Sequence, residues 1–470
     1  MSPSTTQPKN SLIEGPIGRT LFAFSLPILL SSVLQSLNAS VNAVWIGRLL
    51  GERALTASAN ANTLVFLLLG TLFGLGLAVS VMVGQSLGGK NIELAKRTIG
   101  TGVTLFVSAS IVMAAAGIVF APHVLSAMNT PPDALPLAAS YLRVICTAMP
   151  GMFLYAFLMM AMRGAGDAKT PFVFLCFSAF MDVALNPLFI RGIGPIPPMG
   201  IAGSALASAV AQWVSLLAFV VWLYATRHFL RLARGELRYL RLDPAIVRTL
   251  VVKGVPMGVQ MVVMSASMVA MIRLVNGYGS RTTAAYGVCF QLWNYIQMPA
   301  FSVGSAVSAM VAQNIGAQRW DRVTRITHAG IWLNVLMTSL LVLALTVVNR
   351  PVAAMFLGGS MEAVEIAVHI HRVVSWSFVL FGISIVLSST VRSTGAVMAP
   401  LAILFTSLWL VRIPFATAFA PTLHQESIWW SFPIGSVTSV TLIVLYYRFG
   451  KWREARMLPV TPALNLSESR

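Results

Sequence analysis

Apolar runs, punctuated by charge or by Pro and Gly, recur twelve times along the 470 residues. They fall near 18–42, 53–85, 98–120, 137–160, 170–190 and 200–225. A second set follows near 250–275, 285–313, 326–348, 364–390, 396–420 and 428–448. Each run is close to or above the roughly 20 residues that cross a bilayer as a helix. The pattern predicts an all-α integral membrane protein with twelve transmembrane helices. Residues 1–16 then form an N-terminal tail, 17–226 a first lobe, 227–249 a basic linker, 250–448 a second lobe and 449–470 a C-terminal tail.

The two sets are copies of one unit. Phe73–Gly88 (FGLGLAVSVMVGQSLG) aligns with Phe301–Gly316 (FSVGSAVSAMVAQNIG), sharing nine of sixteen residues at a shift of 228. At nearly the same shift Pro27 meets Pro256, Gly51 meets Gly279, Arg143 meets Arg372, Arg163 meets Arg392 and Pro171 meets Pro400. Six spans per copy is an even number, so the copies insert in the same orientation, related by an axis along the membrane normal. Two pseudo-symmetric six-helix lobes around a central cleft are the expected architecture.

Composition agrees and charge adds an orientation. The chain is 57% hydrophobic and 10% charged, where soluble domains run near about 25% charged. Its net charge of +18 would suggest nucleic acid in a soluble protein, but the placement of the basic residues argues for topology instead. Alternate loops hold Lys90, Lys96 and Arg97, then Arg163 and Lys169, then Arg319, Arg322 and Arg325, and Arg392. The linker adds Arg227, Arg231, Arg234, Arg238, Arg241, Arg248 and Lys253. Opposite loops hold only Arg48, Arg53, Arg191, Arg273, Arg281 and Arg350. The positive-inside rule puts the basic loops and both tails in the cytoplasm, and the linker reads as an amphipathic segment on the anionic inner leaflet. Cys146, Cys176 and Cys289 lie unpaired in apolar segments, as free core thiols.

Chemistry concentrates in Pro171–Ile190 (PFVFLCFSAFMDVALNPLFI). Of 14 acidic residues, Asp182 is the one that falls well inside an apolar span. A charged Asp at a helix centre costs about 2.5–3.5 kcal/mol on insertion scales, and an intramembrane carboxylate is by default a proton or ion site. Counted from Lys169, it lies roughly 20 Å into the span, in its outer half. Asn186 follows one turn later on the same face, and Pro187 frees a backbone carbonyl. Gln35, Asn38 and Asn42 share one face of the first span, and Asn60 and Asn62 lie in the second. These amides fit either an aqueous cavity beside Asp182 or polar glue between helices. Ser208 is a further cavity-lining candidate. In the second copy Gln260, Gln291, Asn294 and Gln297 are comparable amides, and Arg412 stands in mid-span eleven. At the repeat shift of 229, Asp182 falls on Val411, so the lobes differ in charge.

Enzymatic readings find little support. Arg163–Pro171 (RGAGDAKTP) lacks Walker spacing and a preceding strand, and reads as a turn and cap. A prenyltransferase would need clustered carboxylates, and the acids here are scattered. No metal or other cofactor is expected, and a proton or sodium ion would serve as coupling ion.

Several strings together resemble the multidrug and toxic compound extrusion (MATE) transporters. They are LPILLSSVLQSLNASVNAVWIGRLLGERALTA (Leu26–Ala57), VMVGQSLGGKN, RGAGDAKTP, LNPLFI, GIAGSALAS and, in the second half, WLVRIP (Trp409–Pro414). The resemblance covers roughly residues 15–445. It implies a monomeric exporter in the bacterial inner membrane, in which inward proton or sodium flow drives efflux of small organic, often cationic, compounds. A flippase, or a carrier of one specific or lipid-linked solute, coupled or uncoupled, is the alternative on the same fold. The DinF-like branch is the most similar, because the acid other branches carry in helix 7 is absent and Met264 stands at about its place. Two departures concern the first lobe. The family's V-D-T-hydrophobic-G becomes VNAVWIG, with Asn42 at the acid's position, and N-x3-D-P becomes Asp182-x3-Asn186-Pro187. One carboxylate stands where two are expected, which favours a proton over sodium, since a hard cation gains from a second negative ligand.

Overall fold

A computed structural model describes residues 12–127, 130–192, 197–358 and 360–458, without the side chains of 66–69 and 71. Much of the two expected tails lies outside the described residues. The first lobe holds α1 (Ile17–Leu50), α2 (Glu52–Gly88), α3 (Ile92–Ala127), α4 (Leu135–Ala165), α5 (Lys169–Arg191) and α6 (Gly200–Ala225). The second holds α7 (Pro244–Asn276), α8 (Ser280–Gly316), α9 (Trp320–Leu357), α10 (Met361–Val374 and Ser377–Thr394), α11 (Met398–Ala418) and α12 (Glu426–Phe449). No strand occurs among the described residues, as expected where lipid offers no partner to an open backbone edge. Val112 on α3 and Trp332 and Val347 on α9 are strongly exposed apolar side chains, suited to lipid contact.

Two spans depart from the uninterrupted helices that the apolar pattern predicts. α10 is broken into Met361–Val374 and Ser377–Thr394. The break is held by polar side chains: Trp293 Nε1 donates to Ser375 Oγ at 3.2 Å, and Ser375 Oγ pairs with His371 Nδ1 at 2.7 Å. α11 winds as a π-helix over Thr406–Arg412. Hydrophobicity is blind to both features, because breaks and π-turns are set by local hydrogen bonds and not by apolar content.

α7 begins six residues before its expected span. Asp243 caps it, accepting from the backbone N–H groups of Ala245 and Ile246, and Pro244 fills the first turn, where its missing N–H costs nothing. The linker is correspondingly shorter, and it docks on α3. Arg97 pairs with Asp243, Lys96 Nζ donates to both Glu236 oxygens at 2.7 and 2.8 Å, and Thr104 Oγ1 donates to Leu240 O at 2.6 Å. Burial alone would raise the Glu236 carboxyl. The Lys96 and Ala233 N–H donors outweigh it and hold the group below the usual carboxylate range. A depressed acid stabilises above its unfolded value near 4.5 and ceases to do so as pH falls through its folded value. Glu236→Gln should therefore speed amide exchange over 234–240 several-fold at pH 7, with wild type and variant converging once pH has fallen below the folded value.

The lobes touch through a pseudo-symmetric arrangement. Leu21, Phe24 and Ile28 of α1, around Pro27, pack with Val303, Met310 and Val323 of the second lobe. Ile246, Leu250 and Met257 of α7, around Pro256, pack with Leu72, Leu75 and Val79 of the first. Each lobe's first helix thus leans on the other lobe. Every cross-lobe hydrogen bond among the described residues lies at the end bearing the basic loops. Gln85 Nε2 donates to Ser393 O at 2.6 Å, and its repeat counterpart, Gln313 Nε2, donates to Gly164 O at 3.0 Å. Asn314, Arg319 and Arg322 donate to the backbone of Leu12, Ile13 and Gly15. A Cβ at Gly88 would overlap the Gln313 carbonyl, and one at Gly316 the Gln85 carbonyl. Small residues here let the two backbones meet.

Candidate functional site

Asp182 sits on α5 and is buried, 4% exposed. Four donors converge on it. Asn38 Nδ2 and Asn42 Nδ2, both of α1, reach Oδ2 at 2.7 Å each. Ser208 Oγ of α6 reaches Oδ1 at 2.9 Å, and Asn186 Nδ2 reaches it at 3.1 Å. The 4-residue spacing of Asn38 and Asn42, and of Asp182 and Asn186, puts each pair on one helix face, so three helices suffice to close the cage. Their close approach has a cause in sequence: Gly203 of α6 lies where any Cβ would strike the backbone of Phe189 on α5.

A further layer orders the amides. Asn186 is fully buried; its Nδ2 also donates to Asn42 Oδ1 at 3.1 Å, and its Oδ1 accepts from Ser204 Oγ at 2.6 Å. Ser204 was not among the residues read from sequence as candidates. Its spacing of four from Ser208 within GIAGSALAS is the signal that would have found it. Asn38 Oδ1 is buried and accepts nothing. The exchange of acid and amide relative to the family pattern therefore leaves a single carboxylate ringed by donors, with one idle acceptor beside it.

The remaining candidates lie elsewhere. Gln35 is exposed and makes no hydrogen bond to the cage, so the shared face predicted for Gln35, Asn38 and Asn42 engages only through its last two members. Asn60 donates to Thr130 Oγ1 at 3.4 Å, and exposed Asn62 accepts from Tyr141 at the same distance. Neither amide reaches Asp182, because both ride on the first half of α2, which packs toward α3 and α4. Gln291 and Asn294 are exposed on α8, the latter bonded to its own Phe290 carbonyl at 3.1 Å. Gln260 is buried and accepts from Arg392 Nη1 at 2.8 Å. Arg412 is buried in the second lobe with its guanidinium over the Phe432 ring. Among the described residues no group of three metal-ligating side chains occurs.

A fold of two six-helix lobes, each crossing the membrane, with a polar cage buried in one of them, defines a polytopic membrane transporter. The family profile described as MatE matches residues 27–188 and again 256–417. The two matches repeat the internal duplication. "Probable multidrug resistance protein YoeA" of Bacillus subtilis (strain 168) is 36% identical over 97% of this chain and 98% of its own. A "FAD transporter" of Shewanella oneidensis is 23% identical over 87% of this chain and 89% of its own. The solved structure described as "Crystal structure of MATE in the bent conformation" superposes with a TM-score of 0.86 at 18% identity, covering 93% of this chain and 96% of that one. The chain belongs to the MatE family of multidrug efflux transporters.

Proposed function

We propose that this protein is a proton-coupled antiporter that exports organic, often cationic, compounds by alternating access of its two lobes, working as a monomer. The observation that carries the reading is the Asp182 cage: one membrane-buried carboxylate whose four partners all donate. That is the hydrogen-bonding pattern of an acid carrying its charge. Taking up a proton turns one oxygen into a donor, and Asn38 Oδ1 stands ready as acceptor after a rotation of its amide. The same single acid supplies too little negative charge for a dedicated sodium site. Protonation releases the donors from α1 and α6, giving proton flux a means to alter how those helices pack.

With the basic loops on the cytoplasmic side, the hydrogen-bonded end of the lobes is the inner end. The conformation described is then closed inward, with the cleft facing out. Exposed Gln35, Asn62, Gln291 and Asn294 all lie on the half away from that seal, where exposed amides need water.

The test is transport in proteoliposomes under separately imposed gradients. A proton gradient alone should drive uptake of a fluorescent organic cation against its concentration, and a sodium gradient alone should not. Drive by sodium alone, or by neither, would overturn the coupling. A second reading, a carrier of one specific solute, draws support from the relative described as a FAD transporter. Flavin competing with every cation tested at equal potency would favour it.

A further inference from the structure

A second buried charge lies in the second lobe and answers the first. Arg412 closes the π-helical stretch of α11 and is 7% exposed. Its guanidinium carbon lies 3.4 Å from the centroid of Phe432 on α12. Nε and Nη2 are buried and have no acceptor, and no ion pair reaches Arg412 among the described residues. The carboxylates at the second lobe's end away from the seal are already engaged: Glu362 with Arg281, Glu365 with Arg350, Glu426 with His369. A buried guanidinium with unmet N–H groups is expensive, and proteins retain such groups for a partner.

The space for that partner is present. A cavity of about 60 Å³ adjoins Arg412 and is lined by Gln297, Ser377, Ser407, Ser436 and Ser439 among apolar neighbours such as Met268. Water needs about 10–15 Å³ by this measure, so the cavity takes a group the size of a carboxylate. Nε and Nη2 are sealed from a water-sized probe, so the cavity meets the guanidinium at its Nη1 end, where an N–H can donate to an entering carboxylate. The π-turn explains the placement. At the repeat shift Asp182 corresponds to Val411, but the wider winding of α11 turns Arg412 inward. It lies against Phe432 and Gly435 of α12, with Met264 and Met268 of α7 lining the same cavity, much as Asp182 lies between α1 and α6.

We propose that the Arg412 cavity is a carboxylate-binding site, a charge-inverted counterpart of the Asp182 cage. The carboxylate belongs either to a small free organic acid or to the transported compound; only the second assignment rests on the export reading. Binding is tested on the purified full chain in detergent, melted in sodium acetate and in a bulky sulfonate salt of equal ionic strength. Acetate should raise the wild-type Tm by several degrees and saturate. Arg412→Met should melt at the same temperature in both salts, and Ser436→Leu, which fills the cavity and keeps the arginine, should lose the response. Equal wild-type melting in both salts, or an undiminished acetate response in Ser436→Leu, would overturn the site and leave Arg412 a stacking residue.

The source is distinguished in proteoliposomes with rhodamine 19, which has a free carboxylate, and rhodamine 6G, its ethyl ester. A roughly tenfold loss for rhodamine 19 alone in Arg412→Met, the scale of one lost charge-assisted contact, assigns the carboxylate to substrate. Unchanged transport of both dyes, with the acetate response intact in wild type, assigns it to a free acid. Failure of wild type to move either dye counts against the export reading and leaves the acetate result standing.

Discussion

Asp182→Asn should reduce proton-driven efflux to the level of protein-free vesicles while leaving the protein folded. The amide matches the carboxylate in shape, and it removes a charge whose insertion costs about 2.5–3.5 kcal/mol. What it introduces is a donor facing donors. Asn38 and Ser208 can each turn to accept, so the cage survives at modest cost, and the melting temperature should stay within a few degrees of wild type. What it cannot do is exchange a proton. No second acid compensates, because the cage partners Asn38, Asn42, Asn186 and Ser208 are all neutral. Counter-flow of substrate between equally loaded compartments, which needs no proton, should persist. Loss of counter-flow together with driven transport would mean that Asp182 is structural, and full pH-driven transport would remove it from coupling altogether. Asn42→Asp supplies the converse. It places a second carboxylate within reach of the first and should add a sodium dependence that wild type lacks.

Much of this architecture was legible because the bilayer leaves few choices. Apolar run length alone yields twelve spans, and the Phe73–Gly88 and Phe301–Gly316 copies imply two lobes before any contact is known. The Asp182 cage was half legible. A carboxylate in lipid is conspicuous, and Asn42 and Asn186 share its neighbourhood in the family pattern. The serines of α6 were less so, since a hydroxyl in a helix more often bonds its own backbone. Here Gly203 brings α5 close enough to capture Ser204 and Ser208. Gln35 shows the limit of facial arguments: a spacing of three or four fixes the face of a helix, not how far along it the neighbour extends. The π-turn at Thr406–Arg412 and the break at Ser375 leave no periodic trace; the break is held by Trp293, a side chain distant in sequence.

Gly88→Ala and Gly316→Ala should each cut efflux by about tenfold or more and should do so equally. The added methyl in each case meets a backbone carbonyl of the opposite lobe, not the movable end of a side chain. The lobes must therefore part at the sealed end. Overpacking of this kind costs typically about 1–3 kcal/mol, and 1.4 kcal/mol is already a tenfold shift between two conformations. The same overlap separates the Gln85 and Gln313 amides from Ser393 O and Gly164 O, so the hydrogen bonds weaken with the packing. Two substitutions on the same helices serve as controls. Gly70 on α2 and Gly287 on α8 have open space where a Cβ would stand, so their alanine variants should transport normally. Helix propensity cannot explain a loss at Gly88 or Gly316, since Ala is the better helix former. Spin labels at Lys90 and Gln318 should report a longer mean distance in Gly88→Ala and Gly316→Ala than in either control. Because closure is shared by two equivalent contacts, the double variant should be close to inactive. If Gly88→Ala and Gly316→Ala instead transport like Gly70→Ala, the seal between the basic loops is not one that the working cycle must close.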